Sequence, residues 1–124
     1  MIKMSGAIFP VRGDVEWFQS ESGNIEIILK KDLSRFEGRV ANFLGAPTSV
    51  RRPLDEMNSS LWALMDGSTT VEQIIVEMDK IFAERIAPVA ERVSRSIAEF
   101  VELDLVVLLH ENECVDWDIG PSNM

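Results

Sequence analysis

Three successive apolar patterns at helical spacing, between residues 55 and 103, constrain the fold of this chain more than any other feature. The middle pattern is the clearest, because apolar residues recur at i, i+3, i+4 and i+7 positions from Val71 to Phe82. Asp55 predicts the N-cap of the first helix, and Asp66-Gly67 predicts its end. Trp62 lies one residue off the main apolar stripe of this helix, which predicts a position at the margin of the core. Such short helices are marginal in water, so their apolar faces must pack on one another or on a sheet.

Individual residues also predict where the second and third helices begin. Thr69 or Thr70 begins the second helix, since Glu72 or Gln73 follows three residues later at the spacing of a capping box. Pro88 suits the first turn of the third helix, because a proline there gives up no helical hydrogen bond. The three helices are therefore predicted as separate, individually capped elements.

Short apolar or alternating segments flank the helices and predict β-strands. Residues 20–24 are rich in Ser, Gly and Asn and suit a hairpin turn between two of these strands. Pro53 cannot donate to a ladder, which restricts its strand to an edge or a strand end. The spacing of apolar residues over 32–44 predicts one additional helix. The predicted strands cover residues 7–11, 15–19, 25–30, 48–54 and the end of 103–109.

These elements together predict an α+β, winged-helix-like fold. An N-terminal β-hairpin and a small antiparallel sheet precede a three-helix bundle, with the extra helix before the third strand of the sheet. The length suits one domain, taken as residues 1–109. Residues 110–124 are acidic and end in a Gly-Pro-Ser-Asn-Met sequence, which predicts a flexible tail.

The composition argues against several classes of function. The chain holds 12 Lys and Arg against 21 Asp and Glu, and the resulting charge of −9 opposes non-specific binding of nucleic acid. One Cys and one His cannot form an internal disulfide or a thiolate–imidazole zinc site. No catalytic constellation or phosphate-binding loop is visible, so we expect no enzyme activity, no cofactor and no metal. No apolar run approaches the roughly 20 residues of a membrane span, so we expect a cytoplasmic protein without a membrane partner.

The charge is also unevenly distributed. Six basic and two acidic residues lie between Lys30 and Arg52, whereas residues 99–124 hold seven carboxylates and no Lys or Arg. The strand at 48–54 is predicted at a sheet edge, and an unpaired edge can accept an extended peptide as an additional strand. We therefore expect a peptide-binding groove, with arginine walls and an aliphatic floor. The walls are Arg51, Arg52, Arg92 and Arg95, and the floor is Val89, Val93 and Ile97.

Two plainer interpretations of these residues stay open. Each arginine can instead form a surface ion pair, for example Arg95 with Glu91 at i,i+4 spacing, which contributes only a few tenths of a kcal/mol. Val93 and Ile97 can belong to the core of the domain rather than to the floor of a groove.

The order and spacing of residues from Val50 to Leu105 resemble the PqqD family, and the weaker resemblance covers about residues 25–109. It implies a winged-helix-like domain that binds the leader of a ribosomally made precursor peptide. Such a domain presents the peptide to a modifying enzyme, often a radical S-adenosylmethionine (radical SAM) protein, as in pyrroloquinoline quinone biosynthesis. The resemblance is carried by Leu54-Asp55, Leu61-Trp62, Asp66-Gly67, Thr70-Val71 and Ile74, and by the run from Phe82 to Val93.

The resemblance also implies where the leader binds. The leader adds as a strand beside Ser49 to Leu54 and lies against the helix that begins at Val89. Ala83 stands where related sequences usually have Gly, a change that favours a longer middle helix. The residues expected to bind the peptide are Ser49, Val50, Arg51, Arg52, Leu54, Val89, Arg92, Val93, Ser96 and Ile97.

The expected partners are therefore a precursor peptide leader and a radical SAM-type modifying enzyme, and a homodimer stays open. Two other functions are compatible with the same elements. One is a winged-helix DNA-binding regulator, and the other is a dimerisation or scaffold module without a peptide ligand.

Overall fold

The computed structural model describes residues 5–30 and 49–122. It contains three helices, which are α1 (Glu56–Leu64), α2 (Val71–Phe82) and α3 (Val89–Glu102). The side chain of Asp55 accepts a hydrogen bond from the Asn58 amide and caps α1, as predicted. Thr70 and Gln73 each bond the other's backbone amide, which confirms the predicted capping box. Pro88 occupies the N-cap position of α3.

The described strands form two separate antiparallel sheets, and with the helices they confirm the predicted α+β class. The first sheet pairs the first strand with the last, and the second has the order β2–β3–β4. The helix predicted over 32–44 lies outside the described residues. The strands are β1 (Phe9–Arg12), β2 (Trp17–Gln19), β3 (Ile25–Lys30), β4 (Ser49–Pro53) and β5 (Val106–Leu109).

Helix α2 ends at Phe82, so the expectation that it runs past Ala83 is wrong. Ala83 has φ +47° and ψ −125°, a backbone conformation that glycine adopts readily and alanine does not. The chain continues from there as a 3-10 helix (Ala83–Ile86) and then enters α3. Ile86 is buried in the core, and this burial helps to offset the unfavourable backbone at Ala83.

The hydrophobic core lies between the helices and one face of the β2–β3–β4 sheet, called here the inner face. Ile25 and Ile27 of β3 are buried on this face together with Trp17 of β2. Trp62 of α1 is fully buried, in a T-shaped contact with Trp17 at 5.9 Å and a tilted contact with Phe100 at 5.5 Å between ring centroids. The expectation that Trp62 lies at the core margin is therefore wrong. Rings from β2 and α3 enclose it, and the spacing within α1 alone does not reveal either contact.

The chain after β5 returns to the sheets at residues 117–122. The carbonyl of Ile119 accepts hydrogen bonds from Arg12 Nε at 2.9 Å and from Trp17 Nε1 at 3.1 Å. The Trp117 indole donates to the Arg12 carbonyl, and the Ser122 amide donates to the Trp17 carbonyl at 2.7 Å. The sequence pattern predicts a flexible tail over 110–124 and does not reveal these contacts. None of the described helices is both long and apolar enough to cross a bilayer.

Candidate functional site

The two edges of the β2–β3–β4 sheet differ in their use of backbone groups. On the outer edge of β2, the Trp17 carbonyl already accepts the Ser122 amide. Among the hydrogen bonds of residues 5–30 and 49–122, none reaches the outer edge of β4. Of the described elements, only β3 packs extensively along β4. With respect to residues 5–30 and 49–122, the outer edge of β4 therefore offers the unpaired backbone groups that strand addition requires.

The pairing with β3 decides which backbone groups of β4 point outward. The Leu54 amide donates to the Ile25 carbonyl at 2.8 Å, and antiparallel pairs alternate from there along the ladder. Residues 50 and 52 consequently direct their N–H and C=O groups toward β3. Residues 49, 51 and 53 direct theirs outward, and residue 53 is a proline without an N–H. The outer edge thus presents amide donors only at Ser49 and Arg51.

The Ser59 hydroxyl of α1 ties the end of β4 to the helices. It accepts a hydrogen bond from the Ile25 amide at 3.1 Å and donates to the Leu54 carbonyl at 3.3 Å. The hydroxyl thereby replaces the second direct hydrogen bond that the Ile25–Leu54 pair would otherwise make. Ser59 is only 5% exposed, so these bonds are shielded from water. This contact positions the β4 edge relative to α1.

Arg51 and Arg52 lie on opposite faces of the sheet, because successive strand residues alternate. Arg52 pairs in register with Ile27, so it lies on the inner face, on the side of the helices. Arg51 lies on the outer face, where its Nη1 pairs with Glu26 Oε1 at 3.1 Å. Both side chains are exposed. Only Arg52 can therefore line the predicted groove.

The predicted floor of the groove lies partly in the core. Val93 and Ile97 of α3 are both 0% exposed and belong to the hydrophobic core. A ligand on the surface cannot contact them, so the structure supports the core interpretation of these two residues. Val89 and Ser96 are half-buried and lie together on one flank of α3. Of the residues predicted in β4, Leu54 is buried on the inner face, and the structure describes only the backbone at positions 49 and 50.

The two arginines of α3 also diverge. Arg95 lies on the side of the helix opposite the core, where its guanidinium pairs with Glu91 at 3.7 Å. This is the surface ion pair that the plainer interpretation expected. Arg92 lies on the same flank as Val89 and Ser96, and its Nη1 donates to the Arg85 carbonyl at 3.5 Å.

Two contacts connect this flank of α3 to the start of α1, the helix that follows β4. Arg92 bonds the Arg85 carbonyl, and Arg85 Nη2 pairs with Glu56 Oε1 at 3.8 Å. Glu56 begins α1 three residues after Pro53 ends β4. The two contacts thus link the α3 flank to the start of α1, which directly follows β4, and the region that they join is taken as one candidate surface. We call this region the β4–α3 surface, formed by the backbone edge of 49–53 and by Arg52, Val89, Arg92 and Ser96.

The arginines of the β4–α3 surface have no carboxylate partner among the described residues. Among residues 5–30 and 49–122, Arg52 makes no hydrogen bond or ion pair, and Arg92 bonds only a carbonyl. Two positive charges at this surface thus have no ion-pair partner in the part of the chain that the structure describes. The other exposed Lys and Arg side chains with described positions each pair with a carboxylate, as Arg51–Glu26, Lys80–Glu77, Arg85–Glu56 and Arg95–Glu91.

Arg12 is a buried cation that sequence reasoning did not single out. It is 8% exposed, and its Nη1 donates to the carbonyls of Trp62 at 2.8 Å and Ala63 at 3.1 Å, near the end of α1. Its guanidinium also lies over the Trp17 ring, 5.3 Å from the centroid. Burial lowers the pKa of the Arg12 guanidinium, and the nearby Asp66 carboxylate opposes this effect. Arg12 thus joins β1, α1 and residues 117–122, and no local pattern around it signals that role.

Comparisons of the chain with models of protein families, with curated proteins and with solved structures found no match. Among the described residues, no group of three or more His, Cys, Asp or Glu is arranged to hold a metal ion. The β4–α3 surface is therefore assigned as the candidate site from its geometry and charge.

Proposed function

We propose that this protein binds an extended peptide, which adds as a strand to the outer edge of β4, and that it is not an enzyme. The observation that carries the proposal is that, among the described residues, the outer edge of β4 is unpaired and Arg52 and Arg92 have no carboxylate partner. In strand addition, main-chain hydrogen bonds supply affinity and neighbouring side chains supply specificity. The β4–α3 surface offers both kinds of contact to a ligand.

The resemblance to the PqqD family supports a more specific form of the proposal. In this form, a winged-helix-like domain in the cytoplasm binds the leader of a ribosomally made precursor peptide. It presents that peptide to a radical SAM-type modifying enzyme, and pyrroloquinoline quinone biosynthesis is one pathway of this type. The β4 edge and the α3 flank coincide with the positions that the resemblance implies.

The charges of α3 favour a peptide ligand over DNA. The exposed side chains of this helix include Arg92 and Arg95, but also the carboxylates Glu91, Glu99 and Glu102. Arg95 is moreover paired with Glu91. A recognition helix that approaches phosphates needs an excess of positive charge, which α3 does not have.

The test is a nuclear magnetic resonance titration of the labelled protein with peptides selected from a displayed library of short random sequences. Bound peptides are expected to shift the amide resonances of residues 49–54 and 89–97. A library that yields no binding peptide, or peptides that shift only resonances elsewhere, would contradict the proposal.

A matched pair of variants at Arg51 tests the strand addition itself. Arg51→Pro removes an outward amide that β3 does not use, and proline is tolerated at such edge positions. Arg51→Ala removes the same ion pair with Glu26 but keeps the amide. Peptide affinity is expected to fall about tenfold or more in Arg51→Pro and to stay near the unmodified value in Arg51→Ala, since one hydrogen bond is lost and the ring blocks the edge. Equal affinities of the two variants would refute addition at this edge.

A further inference from the structure

We infer that the peptide bound at the β4–α3 surface carries an acidic side chain opposite Arg52, with an apolar side chain two positions away on the side of Leu54. This inference rests on the proposed function and specifies the chemical class of its ligand. It follows from the side-chain alternation of β4, from the lack of a carboxylate partner for Arg52 and Arg92 among the described residues, and from the apolar residues Leu54 and Val89.

The register of strand addition decides which ligand side chains face the helices. A ligand residue opposite Arg52 directs its side chain to the same inner side of the sheet, whether the added strand is parallel or antiparallel. Its immediate neighbours point to the outer side, where Arg51 already pairs with Glu26. A single ligand position therefore lies beside Arg52 on the inner side of the sheet, which is the side of the helices.

The charge at that position favours a carboxylate. Arg52 and Arg92 have no carboxylate partner among the described residues, and a guanidinium binds a carboxylate with a planar, two-pronged geometry. The chain as a whole carries −9, so it repels an acidic ligand at most other places on its surface. Among the exposed cations with described side chains, Arg52 and Arg92 are consequently the two available to recognise an acidic ligand residue.

The neighbouring ligand position on the inner side meets apolar groups. Two residues from the acidic one, an added strand passes beside Leu54, which is buried on the inner face. Val89 of the α3 flank is half-buried and packs against the core. An aliphatic ligand side chain at this position would extend the exposed margin of the core and remove apolar surface from water. The recognised pattern is thus an apolar and an acidic residue separated by one residue of any type.

Three synthetic peptides with blocked ends test this pattern. The first alternates Val and Thr and has one central Val replaced by Glu, the second has Gln in place of that Glu, and the third exchanges the Glu with the adjacent Thr. The third peptide keeps the composition and charge of the first but directs its carboxylate to the outer side. The first peptide is expected to bind about tenfold more tightly than the other two, as measured by amide shifts of residues 49–54.

Substitutions of exposed arginines test which of them cause the preference for the Glu peptide. Arg52→Gln and Arg92→Gln are each expected to reduce the preference for the Glu peptide, and the double variant is expected to abolish it. Arg95→Gln is the matched control, because Arg95 is also exposed on α3 but lies away from the β4–α3 surface.

The possible failures are distinguishable. Equal binding of the Glu and Gln peptides with shifts at 49–54 would overturn the acidic specificity and leave strand addition standing. Equal binding of the first and third peptides would also overturn it, because their charges are the same. If none of these peptides, and none from the displayed library, shifts residues 49–54, the proposed function fails and the inference fails with it.

Discussion

The substitution Ser59→Ala tests whether α1 holds the β4 edge in position through the Ser59 hydroxyl. It leaves the Ile25 amide and the Leu54 carbonyl without their observed partner at a site that is 5% exposed. An unsatisfied buried backbone group costs about 1–3 kcal/mol, and the higher helix propensity of Ala returns up to about 0.5 kcal/mol. We therefore expect the free energy of unfolding to fall by about 2 kcal/mol.

The assay is urea unfolding followed by tryptophan fluorescence, because Trp17 and Trp62 are buried in the folded protein. Ser60→Ala is the matched control, since Ser60 neighbours Ser59 in α1 but is only half-buried, and no described contact of its hydroxyl exists. The control is expected to be as stable as the unmodified protein or slightly more stable. If Ser59→Ala proves as stable as Ser60→Ala, the hydroxyl does not bridge β3, β4 and α1 as described.

Two further substitutions test other features of the fold. Ala83→Gly is expected to raise the free energy of unfolding by about 1 kcal/mol. Glycine removes the cost of the positive φ at this position, about 1–3 kcal/mol, but its more flexible unfolded chain lowers stability by about 0.5–1 kcal/mol. Ala87→Gly, at negative φ, is expected to lower it in the same urea assay, and equal effects of the two would contradict the explanation. Arg12→Met is expected to cost about 2–3 kcal/mol and to accelerate hydrogen exchange of the Ser122 amide, because charged hydrogen bonds to three carbonyls are lost. An unchanged Ser122 exchange rate would show that Arg12 does not hold residues 117–122.

Local signals correctly predicted α1, α2, α3 and the strand that ends near Pro53. Asp55, Thr70 and Gln73 form caps with backbone amides only three residues away, so their roles can be read without knowledge of the tertiary structure. Pro53 similarly restricts its strand to an edge or a strand end through its own chemistry, and β4 ends at this residue. Each of these predictions depends only on interactions within about one turn of the chain.

The site required information that the local sequence does not contain. Whether Arg51 or Arg52 faces the helices depends on the register between β3 and β4, which are separated by residues 31–48. The role of Arg12 depends on the return of Ile119, more than a hundred residues later in the chain. The backbone of Ala83 depends on the packing of residues that follow it, so the replacement of the family's usual Gly by Ala wrongly favoured a longer α2.

Hydrogen exchange of individual amides in β4 tests strand addition at this edge most directly. The Arg52 amide faces β3 and the Arg51 amide faces outward, so these adjacent groups report on the two sides of one strand. In the free protein, the Arg52 amide is expected to exchange slowly and the Arg51 amide rapidly. On saturation with the Glu peptide, the Arg51 amide is expected to become protected while Arg52 changes little. An Arg51 amide that exchanges equally fast with and without bound peptide would contradict peptide binding at the β4 edge.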